Sequence, residues 1–169
     1  KAWVDAVANQ IKNTLGINAE GDSYPTFSDI RDRVTDRTIA TAFRSGWMLD
    51  YPSAEDYLTP LYSSASADGP GSNDGDYKSP KFDQELADAL SQTDESKRTA
   101  ALQEAQETLL QDLPSIPLWC DNVAAVSAQN VKNVQFDYTN MPRKHDHQVA
   151  HTAAPIGGTR RIHEWPVCW

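Results

Sequence analysis

The chain has 169 residues, enough for one domain or one large piece of a bigger protein. Its net charge of −9 and its pI near 4.7 argue against nucleic acid and anionic membrane surfaces as partners, because both select a basic face. No apolar run approaches the roughly 18 residues of a membrane span, and no basic stretch followed by an apolar one opens the chain, so targeting signals give no compartment.

The chain opens at Lys1 inside a helical pattern, and the expectation is a mature fragment or a truncation. Trp3, Val7, Ile11 and Leu15 recur at every fourth position, with Val4 and Ala8 beside them. This predicts an amphipathic helix ended by Gly16. Residues 18–25 are polar and read as a loop. Thr26-Phe-Ser-Asp29 is a capping-box variant, opening a short helix with Phe27, Ile30 and Val34 on one face.

Thr38 to Trp47 is the strongest strand candidate. Ile39, Thr41, Phe43 and Trp47 line one face, and Ala40, Ala42 and Gly46 the other. The run ends at Asp50-Tyr-Pro52, a lone carboxylate after an apolar stretch, flanked by aromatics. A buried charge there requires a positive partner, since a bare carboxylate in low dielectric is very costly. Without a protein cation, that partner is a ligand. Ser53-Ala-Glu-Asp56 reads as another capping-box variant, opening a helix with Tyr57, Leu58 and Leu61 inward.

Residues 63–78 are nearly all Ser, Ala, Gly, Asp and Asn and read as a long surface loop. Ser79-Pro80 supplies an N-cap followed by proline at the first helical position. Phe82, Leu86 and Leu90 mark one face of that helix. Thr93-Asp-Glu starts the longest helix, striped by Leu102, Ala105, Leu109 and Leu113 and stopped by Pro114 and Pro117. Its acidic first turn suits the positive end of the helix dipole. Ile116 to Val126 reads as a strand or strand pair, and Val134, Phe136 and Tyr138 as one more short strand.

The composition changes after Pro142. Residues 143–169 hold all four histidines and carry net +2, against −11 for residues 1–142. The expected organisation is a folded part over 1–142 and an irregular, flexible tail over 143–169. Cys120 and Cys168 permit one disulfide or two thiols. Cys120, in an apolar run, reads as a buried inert thiol. Trp47 and Trp119 read by default as core aromatics.

Catalytic and cofactor signatures are weak. There is no Gly-x-Ser-x-Gly elbow, no Gly-x-Gly-x-x-Gly turn and no phosphate loop, and no histidine precedes His145. Asn73-Asp-Gly-Asp76 lacks the twelve-residue calcium pattern and its terminal Glu. His145, His147 and His151 offer adventitious metal binding in a tail. The expectation is therefore no enzyme, no cofactor and no built metal site.

Four stretches carry a resemblance. They are Phe43-Arg-Ser-Gly-Trp47-Met-Leu-Asp50-Tyr51-Pro52, Gly71-Ser-Asn-Asp-Gly-Asp-Tyr-Lys-Ser-Pro80-Lys-Phe82-Asp83, Arg98-Thr-Ala-Ala-Leu-Gln-Glu-Ala105 and Asp112-Leu-Pro114-Ser-Ile-Pro117-Leu-Trp119. In this order and spacing, residues 1–142 resemble the C-terminal lobe of the extracytoplasmic oligopeptide- and dipeptide-binding proteins of ABC importers, solute-binding protein family 5. The resemblance implies an α/β fold, with helices packed on a small mixed sheet as part of one lobe of a periplasmic-binding-protein-like structure. It implies a short peptide as ligand, an ABC permease as partner of the parent protein, and an extracytoplasmic location. A membrane would be met only through the parent's N-terminal anchor. It assigns Asp50 as receiver of the peptide α-ammonium, with Trp47 and Tyr51 beside it in the ligand cleft. A second reading is a truncated or frame-altered secreted fragment, an antimicrobial or inhibitory polypeptide acting through its surface or tail.

Overall fold

Three helix starts follow the capping residues Thr26, Ser79 and Asp94, and two helix ends fall just before Gly16 and Pro114. A computed structural model describes residues 2–69 and 71–122 and, beyond them, 126–127, 131–132, 135–137, 148–149, 160–161 and 166–168. The chain divides into two compact units, Lys1–Ala42 and Phe43–Trp169.

In the first unit, α1 (Ala2–Leu15) buries Ala8 and half-buries Trp3, Val4, Val7 and Ile11. Gly16 follows at φ +68°, with its N–H bonded to the Lys12 carbonyl at 3.1 Å. This left-handed stop is one that glycine adopts without steric cost. Helix α2 (Phe27–Thr35) has the full reciprocal box: the Asp29 N–H donates to Thr26 Oγ1 at 3.2 Å, and the Thr26 N–H donates to Asp29 Oδ2 at 3.1 Å. Val34 is buried and Ile30 half-buried, but Phe27 is 69% exposed. It occupies the helix's first position, one turn before the part of the face that is covered. The Arg33 guanidinium lies 5.1 Å from the centre of the Tyr24 ring, a cation–π pair.

The strand expected over Thr38–Trp47 does not form. All ten residues are described, and none is paired in a ladder. After α2 the chain turns through Arg37 at φ 55°, and Thr38 folds back, with its N–H on the Arg33 carbonyl at 2.9 Å. Alternation is a necessary feature of a half-buried strand, but only a neighbouring strand satisfies its backbone groups. Ile39, Phe43 and Trp47 remain half-buried, while Thr41 is exposed.

The second unit is organised by α4 (Pro80–Ser91) and α5 (Glu95–Asp112), which pack on each other. Ser79 Oγ accepts the Phe82 N–H at 3.3 Å, and Pro80 takes the first helical position, as its missing N–H allows. Asp94 caps α5 by accepting the Lys97 N–H at 3.0 Å. The Ser96 hydroxyl, then the Lys97 N–H, hold its carboxyl below the usual carboxylate range.

The core joins Leu58, Phe82, Leu86, Ala89, Leu102, Ala105 and Leu109, with Phe82 wholly buried at 0% exposure. Burying a Leu or Phe side chain contributes about 1.5–3 kcal/mol. Ala89 takes the inward position expected of Leu90, which is exposed. Phe82, Leu86 and Ala89 follow the helical period more closely than a strict four-residue step. Leu113 also leaves its stripe. It stands at φ 48° as the C-cap, exposed, because Pro114 disfavours a helical conformation at the residue before it. Thr108 is buried beside Leu109, donating to Glu85 Oε2 at 2.7 Å.

Helix α3 (Glu55–Tyr62) supplies Leu58 to the core, with Tyr57 and Leu61 half-buried. The segment after it is no plain surface loop. A 3-10 turn, Ser64–Ser66, folds it back, and the Ser64 N–H donates to Asp83 Oδ1 at 3.0 Å. Asn73 is 1% exposed. Its Nδ2 donates to the carbonyls of Ser63 at 3.0 Å and Tyr77 at 2.8 Å, and its Oδ1 accepts the Tyr77 N–H at 3.1 Å. Gly71 lies against this turn: a Cβ there would stand 2.5 Å from the Ser66 carbonyl oxygen and 2.7 Å from its Cα, whereas at Gly75 the nearest atom would be the Pro114 carbonyl oxygen at 4.0 Å.

Six short strands follow, β1 (Cys120–Asn122), β2 (Val126–Ser127), β3 (Val131–Lys132), β4 (Gln148–Val149), β5 (Arg160–Arg161) and β6 (Pro166–Cys168). They form three antiparallel pairs, β1 with β6, β2 with β5 and β3 with β4. The described residues are thus mostly helical, and the small mixed sheet expected beneath the helices is not among them. Cys120 is exposed and disulfide-bonded rather than a buried thiol, and the β1–β6 register sets Cys168 opposite it. Trp119 is exposed, not a core residue. Of the strand expected at Val134, Phe136 and Tyr138, only Phe136 is described. The break after Pro142 and all four histidines lie outside the described residues.

Candidate functional site

The aromatic and acidic residues before α3 are organised by that helix's first turn. Its cap differs from the sequence expectation. Ala54 occupies the N-cap position without a side-chain bond. Ser53 Oγ accepts the Glu55 N–H at 3.3 Å, and the Asp56 N–H bonds the Ser53 carbonyl at 3.2 Å. The Asp56 carboxylate is thereby not needed by the helix's own backbone. It reaches back instead: its Oδ2 accepts the Trp47 indole N–H at 3.1 Å and the Asp50 backbone N–H at 2.9 Å.

Trp47 and Asp50 are thus brought together by a residue that sequence reasoning treats as a cap. Asp56 is only 3% exposed, and a buried carboxylate requires such donors. The available signal was an acid six residues after Asp50, in the first turn of a short helix. Its spacing from Ser53 matched a capping box equally well.

Trp47 is half-buried, and Asp50 is exposed to solvent. Asp50 is not buried, so its charge does not by burial require a cationic ligand. Tyr51 is also exposed, and its hydroxyl donates to Glu55 Oε2. That bond, then desolvation and the charges of Glu55 and Asp56, push the Tyr51 pKa up to about 12, with Arg98 opposing. The folded value exceeds the ordinary value near 10, so the bond's contribution is fully present below pH 10 and is lost as pH rises through about 12. Ultraviolet titration should show one tyrosine ionising near pH 12 that disappears in Tyr51→Phe and shifts downward in Glu55→Gln.

Other candidate chemistry is sparse. No group of three or more His, Cys, Asp or Glu suited to a metal ion occurs among the described residues. In Asn73-Asp-Gly-Asp76, the Asn73 amide is committed to the backbone, and Asp76 Oδ1 accepts the Asp68 N–H at 2.7 Å. No described helix is long and apolar enough to cross a membrane. Of the 143–169 tail, only Gln148–Val149, Arg160–Arg161 and Pro166–Cys168 are described.

Comparison with known proteins supplies what geometry alone does not. No protein-family model matches the chain. Similarity extends over 116 residues, 68% of the chain, to the periplasmic oligopeptide-binding protein OppA of Salmonella typhimurium (32% identity) and of Escherichia coli (31%), covering 20% of each. A glutathione-binding protein, GsiB of Pectobacterium atrosepticum, is 25% identical over 110 residues, 65% of the chain and 21% of that protein. The chain spans about a fifth of the length of the curated relatives it matches. These similarities support a fragment of the periplasmic peptide-binding proteins, solute-binding protein family 5.

Proposed function

We propose that the chain is part of a receptor that captures short peptides outside the cytoplasm and delivers them to an ABC permease. In this reading residues 1–142 are a piece of the C-terminal lobe. Residues 143–169 are an extension to it. The protein binds and does not catalyse.

Asp50 receives the peptide α-ammonium, Trp47 walls the cleft, and Tyr51 stands at its edge. The observation that carries this assignment is the Trp47–Asp50 segment, tied at both ends to one oxygen of the buried Asp56 while Asp50 itself is exposed. The relatives' names, oligopeptide- and glutathione-binding, point to ligands bearing a free amino end. A charge-assisted hydrogen bond contributes about 1.5–3 kcal/mol. It fixes one peptide terminus and leaves the side chains free to vary.

Calorimetry on the intact protein tests the assignment. A short peptide should bind roughly tenfold to hundredfold more tightly than its N-acetylated form, and Asp50→Asn should erase most of that difference. Equal affinity of the wild-type protein for both peptides would remove Asp50 from this role.

A further inference from the structure

We infer that Asp56 is the positioning residue of this site: one buried oxygen sets both the indole of Trp47 and the main chain of Asp50, and so fixes how the receiving carboxylate is presented. The inference rests on the peptide reading above. Three observations support it.

First, both donors converge on the same atom, Oδ2, at 3.1 and 2.9 Å. A single acceptor shared by a side chain and a backbone N–H holds the two in a fixed mutual geometry. Second, the helix does not need this carboxylate. The first-turn N–H groups of Glu55 and Asp56 are satisfied by Ser53 Oγ and the Ser53 carbonyl. Third, Asp56 is buried, and an apolar side chain would fill that volume without a desolvation cost. A carboxylate there is explained by the donors it holds. They lie six and nine residues upstream in a stretch with no ladder of its own. Asp56 acts through Trp47 and Asp50 and is not itself assigned a ligand contact.

The test compares wild type, Asp56→Asn and Asp56→Ala in the intact protein, with trialanine and N-acetyl-trialanine as probes. Hydrogen exchange is followed at the Trp47 indole, at the Asp50 amide and, as a control for the fold, along α4 and α5. Asn keeps an acceptor oxygen for both donors, and Ala has none. Asp56→Ala is expected to cut the preference for the free-amine peptide at least tenfold and to speed exchange at Trp47 and Asp50, with α4 and α5 protected as before. Asp56→Asn is expected to keep the preference within about threefold.

The inference is overturned if Asp56→Ala keeps the wild-type preference, or loses it only together with protection of α4 and α5. If the wild-type protein itself shows no preference, the peptide reading fails and takes this inference with it. A wild-type preference left intact in Asp56→Ala removes the role of Asp56 alone.

Discussion

Replacing Phe82 with alanine is expected to destabilise the unit built on α4 and α5 by about 3–5 kcal/mol, the usual cost of deleting a fully buried aromatic ring. Among the described residues Phe82 is the largest side chain with no exposure, and it stands in the first turn of α4, against the Tyr77 ring at 6.0 Å in an edge-to-face arrangement. Leu58, Leu86 and Leu102 surround the same core on three helices. Each is fixed in its own helix, so they cannot collapse fully into the space left behind. Hydrogen exchange along α4 and α5 reads the loss directly: a destabilisation of 3 kcal/mol speeds globally limited exchange by roughly two orders of magnitude. Phe82→Leu, which leaves a smaller void, should cost clearly less. Equal protection in Phe82→Ala would mean that the core does not depend on this ring.

The second large effect is expected at Asn73. Asn73→Ala leaves the carbonyls of Ser63 and Tyr77 without this donor, and the Tyr77 N–H without this acceptor, in a buried place. Each orphaned buried group costs about 1–3 kcal/mol, so a loss on the order of 3 kcal/mol follows after some water enters. Asn73→Asp should be worse at neutral pH despite its similar shape. It turns an N–H₂ group into an anionic oxygen facing two carbonyl oxygens, with no donor left to satisfy them. Protonation would relieve that repulsion, so Asp at this position should recover stability as pH falls. Denaturant titrations at neutral and acidic pH check the order, and an aspartate variant as stable as wild type at pH 7 would contradict it.

Local signals located most of the helices, because caps act within a few residues. Thr26 with Asp29, Ser79 before Pro80, and Asp94 before Glu95 all place their helix starts as read. What the sequence hid depends on distant partners. Thr38–Trp47 alternates like a strand, yet nothing in its own residues says whether a second strand is present to pair with it. Asn73 sits among Ser, Gly and Asp residues that spell a turn. Its burial comes from Ser63 and Tyr77 closing around it. Asp56 fits two roles by spacing, and only the three-dimensional path of Trp47–Asp50 chooses between them. The family resemblance was readable because motif order survives where tertiary detail does not. The exposure of Asp50 was not, since it depends on what covers the residue.

Gly71 and Gly75 differ in a way that guides labelling of the protein. At Gly71 the hydrogen in place of a side chain is what lets the chain pass Ser66, so even a methyl group would prise the two backbones apart. Gly75 faces open space, with only the Pro114 carbonyl at the edge of van der Waals range. A dye or spin label carried on a residue introduced at position 75 would ride on the loop without prying it loose, and would report on the folded chain rather than on damage done by its own attachment.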